Sequence, residues 1–191
     1  RRVRTLLLRL FKRRPPEPAS CALVWNFGLH LLHVYPGRPV ATQSLRCALG
    51  YGALVSDSVG ELRRALPGVR LIWRTTNAAC ERRFSRDWVA ATHAYHCEGA
   101  ACSAARTTRI LKACRHRYNV SDAECRATFM DARNTRAQRE ESLQAIRLQE
   151  PVGVLDAFAL TENRCDETAD GRHYPRLISR INLELLGALA G

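Results

Sequence analysis

The run Cys21-Ala22-Leu23-Val24-Trp25-Asn26-Phe27 is almost entirely apolar, which predicts a buried β-strand over Ala22 to Phe27. Two later runs, Arg70 to Trp73 and Val152 to Asp156, share this composition. Consecutive apolar residues are typical of parallel strands that helices cover on both faces. The sequence therefore predicts a parallel sheet, with Val152 to Asp156 as a fully covered strand.

Helical spacing of apolar residues fills the segments between these runs. A helix is expected near Gln43 to Ala65, and Glu81 to Gln149 carries helical periodicity. Arg1 to Arg14 predicts an amphipathic helix that packs on the sheet or, as the alternative, lies on a membrane surface. A closing helix is striped by Ile178, Ile181, Leu185 and Leu186. Alternating strands and helices predict an α/β fold with its site at the carboxyl ends of the strands.

Composition fits one soluble globular domain over residues 1–191. The chain is 46% hydrophobic, and no run approaches the roughly 20 apolar residues of a membrane span. The net charge of +12 raises nucleic-acid binding as an alternative, but Lys12 and Lys112 are the only lysines among 30 basic residues. The arginines scatter over helical faces without interleaved aromatics, so nucleic acid is not the expected partner.

Eight cysteines, an even number, favour disulfide pairing in the secretory lumen or outside the cell. The sequon Asn119-Val120-Ser121 points the same way, as an exposed loop acceptor. Reduced thiols in the cytosol are the alternative. Five cysteines cluster in the middle of the chain, and three lie outside that cluster: Cys80, Cys97, Cys102, Cys114 and Cys125, with Cys21, Cys47 and Cys165.

A zinc-binding module is a second alternative for the central cluster. Its ligands would come from His93, His96, Cys97, Cys102, Cys114, His116 and Cys125. Structural zinc sites favour ligand pairs separated by two to four residues, and only His93 with His96 fits that comfortably. Disulfides are therefore favoured, and no metal or other cofactor is expected.

Asp170-Gly171-Arg172-His173-Tyr174-Pro175 sets a carboxylate and an imidazole three residues apart, just before the closing helix. An imidazole that takes a hydroxyl proton and a carboxylate that orients it are two of the three parts of a serine-hydrolase triad. Upstream, Trp25-Asn26-Phe27-Gly28-Leu29-His30 closes the first predicted strand.

These two blocks resemble those of the SGNH (GDSL-type) esterase superfamily. There a Gly-x-Asn-Asp block follows the third strand, and an Asp-x-x-His block precedes the last helix. Asp170 and His173 match the triad pair, and Gly28 matches the block glycine. His30 stands where the superfamily usually has its oxyanion-hole Asn, and Leu31 replaces the Asp.

Three further stretches resemble the divergent eukaryotic branch that acts on sugar O-acyl groups: Gly28-Leu29-His30, Leu71 to Thr76, and Val154 to Phe158. The resemblance implies a flavodoxin-like three-layer α/β/α fold with a parallel sheet. It also implies a Cys-rich helical insertion at about 80–135, and a first strand that is absent from this chain.

The implied activity is that of an esterase or O-acyltransferase acting on acyl esters of carbohydrate, above all acetyl esters. His173 would be the general base and Asp170 its partner, while Gly28 and His30 would stabilise the oxyanion. His30 as a structural cap of the strand end is the alternative. Three residues at the strand ends are expected to bind substrate: Arg74, Thr75 and Asn26.

For other residues near these blocks, structural roles are expected or stay open as alternatives. Arg74 would meet a sugar hydroxyl or an anionic group, with a structural role as the alternative. Trp73 is expected in the core. Asp156 is expected to cap the segment after its strand, and Tyr174 with Pro175 to shape the turn after His173.

The superfamily's nucleophile is a serine in a Gly-Asp-Ser block upstream of Trp25, and nothing upstream fits. Val55 to Gly60 and Thr42 to Arg46 imitate that block but fall on or beside a predicted helix. The serine is therefore expected upstream of this chain. A catalytically inactive domain that binds carbohydrate or protein is the alternative. The expected molecule is a monomer in the Golgi lumen or outside the cell, with any membrane tether outside this chain.

Overall fold

Three parallel strands form a sheet in the part of the chain that the structure describes. A computed structural model of the protein describes residues 22–27, 29–32, 50–84, 104–149 and 151–190. The strands β1 (Ala22–Trp25), β2 (Arg70–Arg74) and β3 (Gly153–Leu155) lie in the order β1-β2-β3. All three are parallel. The predicted mixed α/β architecture with a parallel sheet is confirmed.

Helices connect the strands and follow the last one. Helix α1 (Tyr51–Ala65) lies between β1 and β2, so the described part of the predicted helix near Gln43 to Ala65 is helical. Between β2 and β3 lie α2 (Ala104–Tyr118), α3 (Asp122–Arg126) and α4 (Ala132–Arg147). After β3 come α5 (Ala157–Thr161) and α6 (Ile178–Ala190). The predicted helix at Arg1 to Arg14 lies outside the described residues.

The main core forms where α1 and α4 pack together against β2. Its members are buried apolar side chains at helical spacing on α1 and at alternate positions on β2: Tyr51, Val55, Val59, Leu62, Leu71, Trp73, Ala145 and Ile146. Trp73 is fully buried, as predicted, and its ring meets that of Trp25 at a centroid distance of 5.5 Å. Burying one large apolar side chain contributes about 1.5–3 kcal/mol, so this face stabilises the sheet.

The β3 edge of the sheet is covered less fully than the sequence predicts. Val154 is 39% exposed, because β3 is an edge strand of the described sheet. Ile178 and Leu186 of the α6 stripe are 55% and 61% exposed. Helix α6 packs against β3, and a strand of three residues cannot cover a helix of 13. The expectation that Val152 to Asp156 is fully covered is therefore wrong.

The predicted sequon lies in an exposed turn between α2 and α3. Asn119 is exposed and has a φ of 53°. Ser121 begins α3 with a capping box, in which its hydroxyl accepts from the Glu124 N–H at 3.2 Å and the Glu124 carboxylate accepts from the Ser121 N–H at 2.8 Å. A disulfide between Cys114 and Cys125 fixes α2 to α3 beside this turn. None of the helices in the described ranges has the length and hydropathy needed to span a bilayer.

Candidate functional site

His173 and Asp170 face each other in the loop before α6, as the sequence predicts. The ring nitrogen Nδ1 of His173 lies 2.6 Å from Oδ2 of Asp170. An ionised carboxylate beside Nδ1 favours the tautomer with hydrogen on that nitrogen, which leaves Nε2 as the acceptor. The His173 side chain is 75% exposed. This arrangement is that of a general base with its orienting carboxylate.

Backbone donors hold the Asp170 carboxylate in place. Its Oδ1 accepts hydrogen bonds from the N–H groups of Arg172 at 3.0 Å and His173 at 2.9 Å. Burial raises the pKa of Asp170, but the hydrogen bonds from His173 and Arg172 outweigh burial and hold that pKa well below its usual range. The carboxylate is therefore ionised at neutral pH, as a partner of imidazole must be.

The loop that carries His173 is bound to the segment that leaves β2. The Cys80 N–H donates to the Gly171 carbonyl at 2.9 Å, and the Tyr174 hydroxyl donates to the Ala78 carbonyl at 2.9 Å. Burial raises the pKa of Tyr174 to about 12, so its hydroxyl remains a donor. A disulfide joins Cys80 to Cys165. These contacts place the Asp170–His173 pair beside the carboxyl end of β2.

Arg74, the last residue of β2, is linked to the same loop through the side chain of Asn77. Its Nη2 donates to Oδ1 of Asn77 at 2.7 Å, and Nδ2 of Asn77 donates to the Arg172 carbonyl at 3.3 Å. Nδ2 of Asn26 donates to the Arg74 carbonyl at 2.7 Å, so the ends of β1 and β2 meet here. Asn26 and Arg74 therefore lie in one polar network with the loop that carries Asp170 and His173, and their substrate-binding role stays a prediction.

Thr75 has a different position from the one expected of a substrate-binding residue. It is fully buried, and its hydroxyl donates to Oδ1 of Asp156 at 2.9 Å while accepting from the Phe158 N–H at 2.9 Å. Burial takes the Thr75 hydroxyl away from the surface that a substrate can reach. Its role is to join the end of β2 to the start of α5.

Asp156 caps α5, as predicted. Its Oδ1 accepts from the Ala159 N–H at 3.2 Å, and Arg139 on α4 binds the carboxylate through two nitrogens, with Nη2 to Oδ2 at 2.6 Å. Burial raises the pKa of Asp156, but the Arg139 guanidinium and the cap hydrogen bond outweigh it and lower that pKa below its usual value. Asp156 is thus a structural anion that joins α4 to the start of α5.

The two predicted oxyanion residues are only partly described. His30 lies in a short 3-10 helix, Leu29–Leu32, that follows the end of β1. The His30 side chain and the whole of Gly28 lie outside the described residues. The backbone therefore sets His30 just past the carboxyl end of β1, and its proposed role stays a prediction.

The serines on α1 that imitate the missing block are half-buried and hydrogen-bonded to other groups. Ser58 on α1 donates to the Val55 carbonyl at 2.6 Å and accepts from Nε1 of Trp25 at 3.1 Å. Ser56 accepts from Nε2 of Gln149 at 2.9 Å. Within the described ranges, the hydrogen bonds of the His173 ring run to Asp170 alone. Neither serine is its partner, and Thr42 to Arg46 lie outside the described residues.

Four cysteines form two disulfides, which confirms pairing for Cys80 with Cys165 and for Cys114 with Cys125. The second disulfide removes Cys114 and Cys125 from the ligand set of the zinc alternative. The part of the chain with coordinates brings no three His, Cys, Asp or Glu side chains together as a metal site. The remaining thiols and two histidines of that set lie outside the described residues: His93, His96, Cys97 and Cys102.

Comparison with known proteins yields no relative: no protein-family model, no curated protein and no solved structure matches the chain.

Proposed function

We propose that this chain is an SGNH-like domain of an esterase or O-acyltransferase that acts on acyl esters of carbohydrate, with acetyl as the acyl group. The observation that carries the proposal is the 2.6 Å contact between Nδ1 of His173 and Oδ2 of Asp170, in a loop beside the carboxyl end of β2. The parallel sheet and its helices are compatible with the flavodoxin-like three-layer fold that the resemblance implies.

In this mechanism Nε2 of His173 takes the proton of a serine hydroxyl as the serine attacks the ester carbonyl. Asp170 stabilises the imidazolium, which then gives its proton to the departing alcohol. Water or a sugar hydroxyl receives the acyl group in the second half of the reaction. The proposed serine lies upstream of this chain, and Gly28 and His30 would face the oxyanion.

The proposed setting is the lumen of the secretory pathway, the Golgi, or the extracellular space. Two disulfides fit an oxidising compartment, and the exposed sequon at Asn119 fits a glycoprotein. The proposed partner is a carbohydrate or another small acyl ester, bound by a monomer.

The test is hydrolysis of p-nitrophenyl acetate and of an acetylated glycan by the protein in its full natural length. His173→Ala should lower kcat by about a thousandfold or more, because the general base is lost. His116→Ala, which removes an exposed histidine of α2, is the matched control and should keep full activity. A well-folded protein with no activity toward either ester would overturn the proposal.

That failure would favour a catalytically inactive domain that binds carbohydrate or protein. This alternative is supported by the hydrogen bonds of Ser56 and Ser58, whose hydroxyls are already bound to Gln149 and to the Val55 carbonyl.

A further inference from the structure

Arg74 is a partly buried cation without a carboxylate partner among the described residues. Among those residues its guanidinium donates to a neutral acceptor, Oδ1 of Asn77 at 2.7 Å. Arg139 and Arg172 differ in this respect, because they pair with Asp156 at 2.6 Å and Asp170 at 3.2 Å. Burial lowers the pKa of Arg74.

Removing a guanidinium from water is costly unless an anion or several acceptors replace the water. One amide oxygen satisfies one of its five N–H donors. The planar fork of arginine matches a carboxylate or a sulfate, which can accept two parallel hydrogen bonds. Arg74 therefore has the donors and the unbalanced charge to bind an anion.

The position of Arg74 connects this anion site to the proposed chemistry. Asn77 bridges the Arg74 side chain and the backbone of Arg172, which lies next to His173. Asn26 donates to the Arg74 backbone carbonyl, so the side chain of Asn26 is held at the end of β2. Amides and a guanidinium are groups that bind sugar hydroxyls and sugar acids. The net charge of +12 also steers anions toward the molecule.

We infer that Arg74 binds a carboxylate or sulfate group of the substrate, so that the substrate is an acyl ester of an acidic sugar. This inference rests on the proposed function, because it assigns the substrate class of the same site. The acid group would sit on Arg74 while the ester lies against His173.

The test measures binding of three small sugars to the full-length protein by calorimetry: methyl glucuronide, glucose 6-sulfate and methyl glucoside. At least one acidic sugar should bind about tenfold or more tighter than the neutral one, and which of the two does so identifies the anion. Arg74→Gln should remove this preference and leave the neutral sugar unaffected. Arg74→Lys should keep part of it, and Arg133→Gln, at an exposed arginine of α4, should keep all of it.

Equal affinity of the wild-type protein for acidic and neutral sugars would overturn the inference, whether or not Arg74→Gln folds. The binding assay requires no ester cleavage, so the two proposals fail separately. An acidic preference that depends on Arg74 in a protein that cleaves no ester would leave this inference standing and remove the esterase. Equal kcat/KM values for neutral and acidic esters, unchanged in Arg74→Lys, would keep the esterase and overturn this inference.

Discussion

The Asp170 carboxylate forms hydrogen bonds with both the backbone N–H and the ring of His173. Its Oδ1 accepts from the backbone N–H groups of Arg172 and His173, and its Oδ2 faces Nδ1 of the His173 ring and the Arg172 guanidinium. Because one carboxylate fixes the turn and the imidazole together, the ionised state of Asp170 should matter for stability as well as for the proposed catalysis.

Asp170→Asn should change how stability depends on pH. The pKa of Asp170 in the folded protein lies below its ordinary value of 3.8, so ionisation favours the folded state. That stabilisation is complete above the unfolded pKa and is lost as the pH falls below about 4 toward the folded pKa. The difference in Tm between wild type and Asp170→Asn should therefore be largest near neutral pH and shrink below about pH 4.

Thermal melts of both proteins from pH 7 to pH 2 check this expectation. Asp166→Asn, at an exposed carboxylate in the same region, is the control and should run parallel to the wild type. A Tm difference for Asp170→Asn that stays constant with pH would contradict it.

Gly171 is required by the same turn. Its φ is +77°, and a Cβ there would lie 2.4 Å from the Cys80 carbonyl oxygen and 2.6 Å from the Phe84 ring. Gly171→Ala therefore combines a left-handed backbone with an overlap, and we expect a loss on the order of 3 kcal/mol in the free energy of unfolding. Gly60→Ala is the control, because a Cβ at this position of α1 meets nothing within 4 Å and should slightly stabilise the helix. Urea denaturation compares the three proteins, and equal stability of Gly171→Ala and wild type would refute the steric argument.

At the scale of elements, the apolar runs predicted the strands because burial dictates composition along a parallel strand. β2 extends from Arg70 to Arg74, as its run predicts to within one residue, and β1 ends at Trp25, two residues early. The partial cover of Val154 was not predictable, because composition does not say which strand lies at an edge. The Asp170–His173 pair was predictable because its two members are local in sequence.

The rest of the site depends on contacts that are distant in sequence. Asn77 meets the Arg172 backbone across 95 residues, and the Tyr174 hydroxyl meets the Ala78 carbonyl across 96. No local pattern marks Asn77 as a bridge. The buried position of Thr75 was not predictable for a related reason. A threonine at a strand end can face the solvent or the protein interior, and the hydrogen bond to the distant Asp156 sets the orientation here.

Thr75→Val separates the structural role from a substrate-binding role. Valine fills the same space but leaves the Phe158 N–H without its acceptor, which should cost about 1–3 kcal/mol in the free energy of unfolding. If the proposed esterase function holds, KM for the acyl ester should stay unchanged, because the hydroxyl is buried. Thr75→Ser keeps the hydroxyl and should recover most of the stability. Denaturation and steady-state kinetics on the same preparations test both statements, and a raised KM with normal stability would return Thr75 to the substrate site.

At the scale of the whole molecule, the candidate site is the junction of two segments far apart in the chain. The segment after β2 and the loop before α6 meet through the Cys80–Gly171 backbone hydrogen bond, two bonds from side chains to backbone, and the Cys80–Cys165 disulfide. The Cys114–Cys125 disulfide instead joins neighbouring helices beside the exposed sequon. The two crosslinks should therefore differ in what they stabilise.

Their sequence separations of 85 and 11 residues give the size of that difference. Closing the longer loop should stabilise the folded state by about 4.5 kcal/mol and closing the shorter loop by about 3 kcal/mol, because a crosslink removes more entropy from an unfolded chain when its loop is longer. Replacing Cys80 and Cys165 together by Ser should lower the Tm more than replacing Cys114 and Cys125 together. Replacing the first pair should also abolish the proposed esterase activity well below the Tm, because the chain before His173 would lose its covalent link to the segment after β2. Replacing the second pair should leave the proposed kcat unchanged. Melting curves and p-nitrophenyl acetate hydrolysis of the two double variants decide the matter, and full activity in the protein without Cys80 and Cys165 would show that the hydrogen bonds alone hold the site.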